Sequence, residues 1–558
     1  SLTEVRPPTV FRDIYKTSCQ CIWPKMTCLI NAATILVIFF ATVTVLPSDA
    51  LKILMVNPTF ASSHVSFHCK LADTLVDAGH TVHMIVQEVE EITTNLSCNA
   101  QKVLIVRPAD ASSSYRGAFS HADPLDTQAS ILEWHVIRAV RDGNEGQARD
   151  LLRQYDSLIR PLEANEGYDI GISEGLNMIP FFLFRRLGVK KQVLASAPPI
   201  SSILAGAMDV PMPPSFVPNP LSNEVSLDAP FLSFGQRFGA LAATVLAPVL
   251  FAVTEQKQAT LLRAVDPATP SIQEGMSASQ LLLVNTHPVL EHFRPSTHQV
   301  VHIGGITMDK HTQTIQPELA KIVNSSRSGI VLLSFGTLAK IENIADHRLT
   351  WMLDAFAAFP SYTFICKFSL GKESHRRIFA NYSNVHAVEW MPQRALLAHP
   401  KTRAFVMHGG VNGFIEASMH GVPLVLVPLF GDQYYNAAVV KRNGAGVIVP
   451  KAAFSTAALR DALERALNEP SIAQNARRVA AAIAAHALEP RRELTRAIEY
   501  LAAHGDVLPG HVSLPLVKYY NLDILMLAIV SLYLLVFFLR ALIRFFCADS
   551  KATKKQIE

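Results

Sequence analysis

Residues 390–436 read WMPQRALLAHPKTRAFVMHGGVNGFIEASMHGVPLVLVPLFGDQYYN. Inside this stretch Arg403–Met407 has the length and apolar content of a buried strand, and it ends in His408-Gly409-Gly410. A helix is expected to open near Asn412. A second strand follows over Leu424–Pro428, and Gly431-Asp432-Gln433 lies just beyond it. Strand, helix, strand in this order predicts a parallel crossover whose two strand ends share one edge of a sheet. That edge is where such sheets bind ligands.

At the first strand end, backbone N–H groups and the positive end of a helix converge on one spot, which suits a diphosphate. Gly410 lets the backbone approach a ligand closely, and His408 adds a side-chain donor beside it. Glu416 lies one helical turn past Asn412 and can face the same mouth, where it would bind a ribose diol; alternatively it is an exposed helix charge. Asp432 and Gln433 offer acceptors and an amide for sugar hydroxyls, or simply cap the next helix. Upstream, Ser334-Phe335-Gly336-Thr337 ends another strand with small hydroxylated residues and a glycine. It either closes the phosphate site or forms an ordinary tight turn.

Outward from this segment the alternation continues. Ile330–Phe335, Tyr362–Phe368 and Val385–Trp390 complete a second Rossmann-like unit over 329–515. Before it, residues 51–307 hold strands at 52–56, 81–86, 102–106, 169–173 and 191–195. Helical stretches at 65–78, 131–141 and 179–187 separate them, so this half reads as a first doubly wound unit. The polar stretch 308–328 reads as the linker between the two. Residues 198–258, rich in proline and apolar side chains, read as irregular and helical cover near an acceptor pocket or a membrane.

The chain has 558 residues, too many for one core. Its apolar excess lies at the ends. Lys25 precedes the run Cys28–Leu46, and Ser48-Asp49-Ala50 supplies small residues, so residues 1–50 read as leader and signal peptide cut after Ala50, with an uncleaved anchor as the alternative. Met26 directly before the run suggests that residues 1–25 are untranslated leader. Residues 522–539 are long and apolar enough to span a membrane once. The basic tail 540–558, with Arg540, Arg544, Lys551, Lys554 and Lys555, favours the cytoplasmic side and leaves the body in the lumen.

Triplets at Asn95, Asn324 and Asn381 are compatible with luminal glycosylation. Only Cys69, Cys98 and Cys366 fall between the cut site and the anchor, too few for a disulfide scaffold; the first two can pair. No metal-ligand spacing is present, and the net charge of +4 gives no reason to propose a nucleic-acid partner.

The segment 390–436 resembles the signature of the UDP-glycosyltransferase family, the group that contains the UDP-glucuronosyltransferases. Val284-Asn285, Phe293-Arg294-Pro295 and Ile303-Gly304-Gly305-Ile306 resemble it too, so the likeness covers nearly all of the chain after Leu51. The resemblance implies a GT-B type α/β fold: two facing Rossmann-like domains, with the acceptor held by the N-terminal one and the donor by the C-terminal one. Trp390 would stack on uracil, Gln393 would meet the nucleoside, and His408, Gly410 and Asn412 would flank the diphosphate. Ser334 and Thr337 would touch the phosphates, Glu416 the ribose, and Asp432 with Gln433 the sugar.

His64 comes where that family carries its general base, and histidine titrates near neutrality. The position resembling the catalytic aspartate holds Glu174, with Asp169 as a competing candidate. The implied reaction is inverting transfer of glucose or glucuronate from a UDP-sugar to a hydroxyl of a small lipophilic acceptor, as in detoxifying conjugation. No Asp-x-Asp pair occurs, so no metal and no other cofactor is expected. The setting implied is the endoplasmic reticulum membrane, single-pass, with room for a homo-oligomer. The rival reading is a catalytically silent carrier of lipophiles or a regulatory partner with the same fold.

Overall fold

The computed structural model describes residues 50–58, 62–88, 98–109, 123–126, 134–164, 167–213, 215–220, 233–308, 314–337, 339–505, 516–519 and 521–555. The leader with its run Cys28–Leu46, the Asn95 triplet and the last three residues lie outside them.

Seven parallel strands form the first sheet: β1 (Lys52–Pro58), β2 (Thr81–Gln87), β3 (Lys102–Val106), β4 (Tyr168–Ser173), β5 (Val189–Ser196), β6 (Leu281–Val284) and β7 (Val300–His302). Their order is β3-β2-β1-β4-β5-β6-β7. Six more form the second sheet: β8 (Gly329–Ser334), β9 (Tyr362–Lys367), β10 (Val385–Val388), β11 (Thr402–Met407), β12 (Leu424–Leu426) and β13 (Gly446–Ile448), in the order β10-β9-β8-β11-β12-β13.

Both sheets are buried on two faces, which is why their strands are nearly continuous apolar runs. Alternate residues divide between the faces. In β1, Leu54 and Val56 join one core while Ile53 and Met55 join the other. In β8, Val331 and Leu333 divide from Ile330 and Leu332 in the same way.

Three strands, β6, β7 and β13, were not legible as such, because runs of two to four apolar residues carry no period that separates strand from helix. The stretch expected as a linker holds a helix, Pro317–Ser325, which buries Leu319 and Val323 at i, i+4 against the second sheet. The proline-rich cover includes a 32-residue helix, Phe234–Val265, started by a capping box between Ser233 and Gln236.

The helix Pro490–His504 follows the second sheet in the chain but packs on the first. Leu494, Ile498 and Leu501, spaced on one helical face, are wholly buried beside Ile53, Met55 and Ile172. Each such side chain contributes roughly 1.5–3 kcal/mol. Lys191 Nζ donates to the carbonyls of Leu501 and Ala502 at 3.1 and 3.0 Å.

Cys69 and Cys98 are joined in a disulfide with Cα atoms 5.1 Å apart, while Cys366 is buried and free. One helix, Leu522–Lys555, contains a 23-residue stretch, Leu522–Arg544, long and apolar enough to cross a membrane, and none of that stretch is buried within the protein.

Candidate active site

In each sheet the strand order reverses at one place, between β1 and β4 in the first and between β8 and β11 in the second. Connections leave to opposite faces there, opening a crevice at the carboxyl ends of the strands. His64 lies on the helix Ser62–Asp77 just after β1, and Glu174 immediately follows β4. Ser334 ends β8, and His408 follows β11. The two crevices face each other across a cleft of about 480 Å³ lined from both halves.

On the second-sheet side, the helix Val411–Met419 begins at Gly410 and points its N-terminus at the cleft. His408 is packed tightly there: a Cβ on Gly410 would lie 2.5 Å from its Nε2, and one on Gly336, whose φ is +77°, would lie 2.9 Å from its Cε1. Burial pushes the His408 pKa down to about 4, so the ring is neutral in the ligand-free protein.

Trp390 is 68 % exposed and presents a flat face at one end of the cleft, with Lys367 Nζ 5.6 Å from the ring centre. Behind it, Gln393 Nε2 donates to Glu416 Oε2 at 2.6 Å. Burial raises the Glu416 pKa against the opposing effect of that hydrogen bond.

Past β12, Gly431 at φ +60° turns the chain into the helix Asp432–Asn443. Gln433 Oε1 accepts from Leu429 N at 2.7 Å and Phe430 N at 3.2 Å, which holds the turn and leaves the amide nitrogen as its donor. Asn436 Nδ2 bridges Asp432 Oδ2 at 3.1 Å and the Gly409 carbonyl at 2.8 Å. Burial pushes the Asp432 pKa up to about 6, although the charge of His64 across the cleft and the Asn436 hydrogen bond work against it.

On the first-sheet side, His64 Nδ1 lies 2.9 Å from both carboxylate oxygens of Glu174. The imidazole is 24 % exposed and the carboxylate 2 %. Ala197 N donates to Glu174 Oε1 at 3.2 Å. Burial alone would raise the Glu174 pKa; the charge and hydrogen bond of His64, joined by His68, outweigh it and hold the carboxyl far below its usual range. For His64, burial alone would lower the pKa, but the charge and hydrogen bond of Glu174, with Asp432 beyond, leave it raised. With Nδ1 committed to a carboxylate, Nε2 is the basic nitrogen.

Ten of the twelve residues singled out in the sequence line this one cleft: His64, Ser334, Thr337, Trp390, Gln393, His408, Gly410, Asn412, Asp432 and Gln433. The other two stand behind them, Glu174 on His64 and Glu416 on Gln393. Asp169 is elsewhere: at the opposite end of β4, it accepts from Lys52 N at 2.9 Å and pairs with Lys190 at 2.8 Å.

Sequence reasoning missed Lys367, which lines the cleft from the end of β9, and Asn285, whose Nδ2 donates to Asn412 Oδ1 at 2.8 Å and so ties the halves together. A polar residue closing an apolar strand run was the available signal for both. Among the described residues no group of three or more His, Cys, Asp or Glu side chains is placed to hold a metal ion.

The sequence model of the family described as "UDP-glucoronosyl and UDP-glucosyl transferase" matches residues 52–557. Putative UDP-glucuronosyltransferase ugt-47 of Caenorhabditis elegans is 25% identical over 502 residues, covering 88% of this chain and 92% of its own length. UDP-glucuronosyltransferase 2A2 of Mus musculus is 29% identical over 366 residues, covering 64% of this chain and 66% of its own. Among solved structures, Os79 from O. sativa in complex with U2F and trichothecene superposes with a TM-score of 0.56 at 16% identity, over 81% of this chain and 100% of its own. CalG4, the calicheamicin glycosyltransferase, gives 0.52 at 18% identity over 83% and 100%. These structures share the GT-B glycosyltransferase architecture of two parallel Rossmann-like sheets.

Proposed function

Because this chain belongs to the UDP-glucoronosyl and UDP-glucosyl transferase family and is thus a UDP-glycosyltransferase, we propose that it moves glucose or glucuronate from a UDP-sugar to a hydroxyl of a small lipophilic acceptor, with inversion and without a metal. The observation that carries this reading is the buried Glu174 carboxylate bonded to a cleft-facing His64, opposite the Asp432 side of the same cleft.

In the proposed reaction the acceptor hydroxyl gives its proton to His64 Nε2 as its oxygen attacks the anomeric carbon. The bond from that carbon to the diphosphate breaks, and UDP leaves with the electron pair. Glu174 stabilises the imidazolium that forms. His408 and the N–H groups at the start of the helix Val411–Met419 receive the diphosphate charge. Trp390 supplies a stacking face for uracil, Gln393 meets the nucleoside and Glu416 the ribose diol. Ser334, Thr337, Gly410 and Asn412 flank the phosphates, and Asp432 with Gln433 holds the sugar hydroxyls.

The proposed setting is the membrane of the endoplasmic reticulum, with the body in the lumen, and the role is detoxifying conjugation. The apolar helix Leu522–Lys555 supports anchoring. Asn324 and Asn381 are exposed, and they stand near the strand-start edge of the second sheet, away from the cleft.

Full-length protein in microsomes tests the reading in one preparation. UDP-glucose and UDP-glucuronate are supplied separately with a panel of phenols and sterols, with and without EDTA, and an endoglycosidase is applied to the membranes. Release of UDP with one donor, unchanged by EDTA, is expected, together with a mobility shift that Asn324→Gln and Asn381→Gln each reduce. Donor binding without turnover would favour the silent carrier. Loss of turnover in EDTA would overturn metal independence, and an unshifted band would overturn luminal placement.

A further inference from the structure

Glu174 is met by two histidines of one helix. His64 and His68 stand four residues apart on Ser62–Asp77, one turn apart on one face. His68 Nε2 lies 3.6 Å from Glu174 Oε1, just beyond hydrogen-bond reach. His68 is wholly buried, its ring edge-on to Phe67 at 5.2 Å, and neither of its ring nitrogens has a hydrogen-bond partner among the described residues. A buried polar ring left unpaired is destabilising where an apolar side chain would pack without cost, so it calls for an explanation.

The geometry of Glu174 supplies one. A glutamate has one more rotatable bond than an aspartate and needs more to hold it. Ala197 N steadies Oε1 from one side at 3.2 Å, and His68 stands by the same oxygen. We propose that His68 is a positioning residue: its Nε2–H holds Glu174 Oε1, so that Oε2 is presented to His64 Nδ1 as His64 takes the acceptor's proton. A small rotation of either side chain closes the gap, as catalytic hydrogen bonds that are long in a ligand-free enzyme do when ligands bind. The inference rests on His64 being the base.

The test compares His68→Phe, which keeps a ring and removes both nitrogens, with His68→Gln, which retains a donor. Each is made in the unmutated and the Glu174→Asp enzyme, beside a His64→Ala control, and kcat, KM for the UDP-sugar and Tm are measured. His68→Phe should lower kcat by about ten- to a hundredfold, the effect of one hydrogen bond to a charged group. KM for the donor should stay within about twofold, because donor binding lies on the other sheet, and His68→Gln should recover most of kcat.

In the Glu174→Asp enzyme the carboxylate is out of reach of residue 68, so the same change should cost less than about twofold. An unchanged kcat in His68→Phe overturns the proposal. So does an equal loss in both backgrounds, which marks a packing role. If His68→Phe does not fold, His68→Met carries the same comparison. Full activity in His64→Ala would instead sink the base assignment itself; an inactive His64→Ala beside a fully active His68→Phe removes only the role of His68.

Discussion

Changing His64 to alanine is expected to lower kcat by about 10²- to 10⁴-fold, the usual contribution of a positioned general base. Binding of the UDP-sugar should be nearly unaffected. The proposed donor contacts lie on the second sheet, whereas His64 stands on the helix after β1, so the loss should fall on kcat and spare KM for the donor. The same residue sets the pH dependence. Its working form is the neutral ring, and Glu174 holds its pKa above the ordinary 6.5. kcat/KM should therefore fall as pH drops through a midpoint above that value. Steady-state kinetics on both forms checks this, and an alanine variant that turns over normally would remove His64 from the chemistry.

Glu174→Gln is the second large effect. An amide keeps the shape but loses the charge, and its nitrogen can donate to Nδ1, leaving the proton on the nitrogen that should accept one. A fall in kcat of about 10³- to 10⁴-fold is expected. The sign of the pH shift follows from the same contact. Without the carboxylate, burial lowers the His64 pKa against only the weaker pull of Asp432, so the acid limb of kcat/KM should move to lower pH. A variant with the original midpoint would mean that Glu174 does not govern the imidazole.

Most of the second-sheet side of the cleft was legible because its residues lie within the stretch 390–436 and close to strand ends, with Ser334 and Thr337 upstream at the end of β8. His408 after β11 and Asp432 after β12 are positioned by the crossover alone. The first-sheet side was harder. Glu174 is 110 residues from His64, and only the adjacency of β1 and β4 brings them together. The pairing of Gln393 with Glu416 and the stance of His68 behind Glu174 depend on side-chain packing, to which strand and helix periods are blind. The helix Pro490–His504 falls within the stretch read as the second unit, and chain order does not say which sheet its apolar face covers.

The anomeric configuration of the product, read by proton NMR as the reaction proceeds, tests the central claim most directly. Attack by a hydroxyl activated at His64 is a single displacement, so the glycoside must carry the configuration opposite to that of the UDP-sugar. Retained configuration would require two displacements or a different path, and would contradict the account.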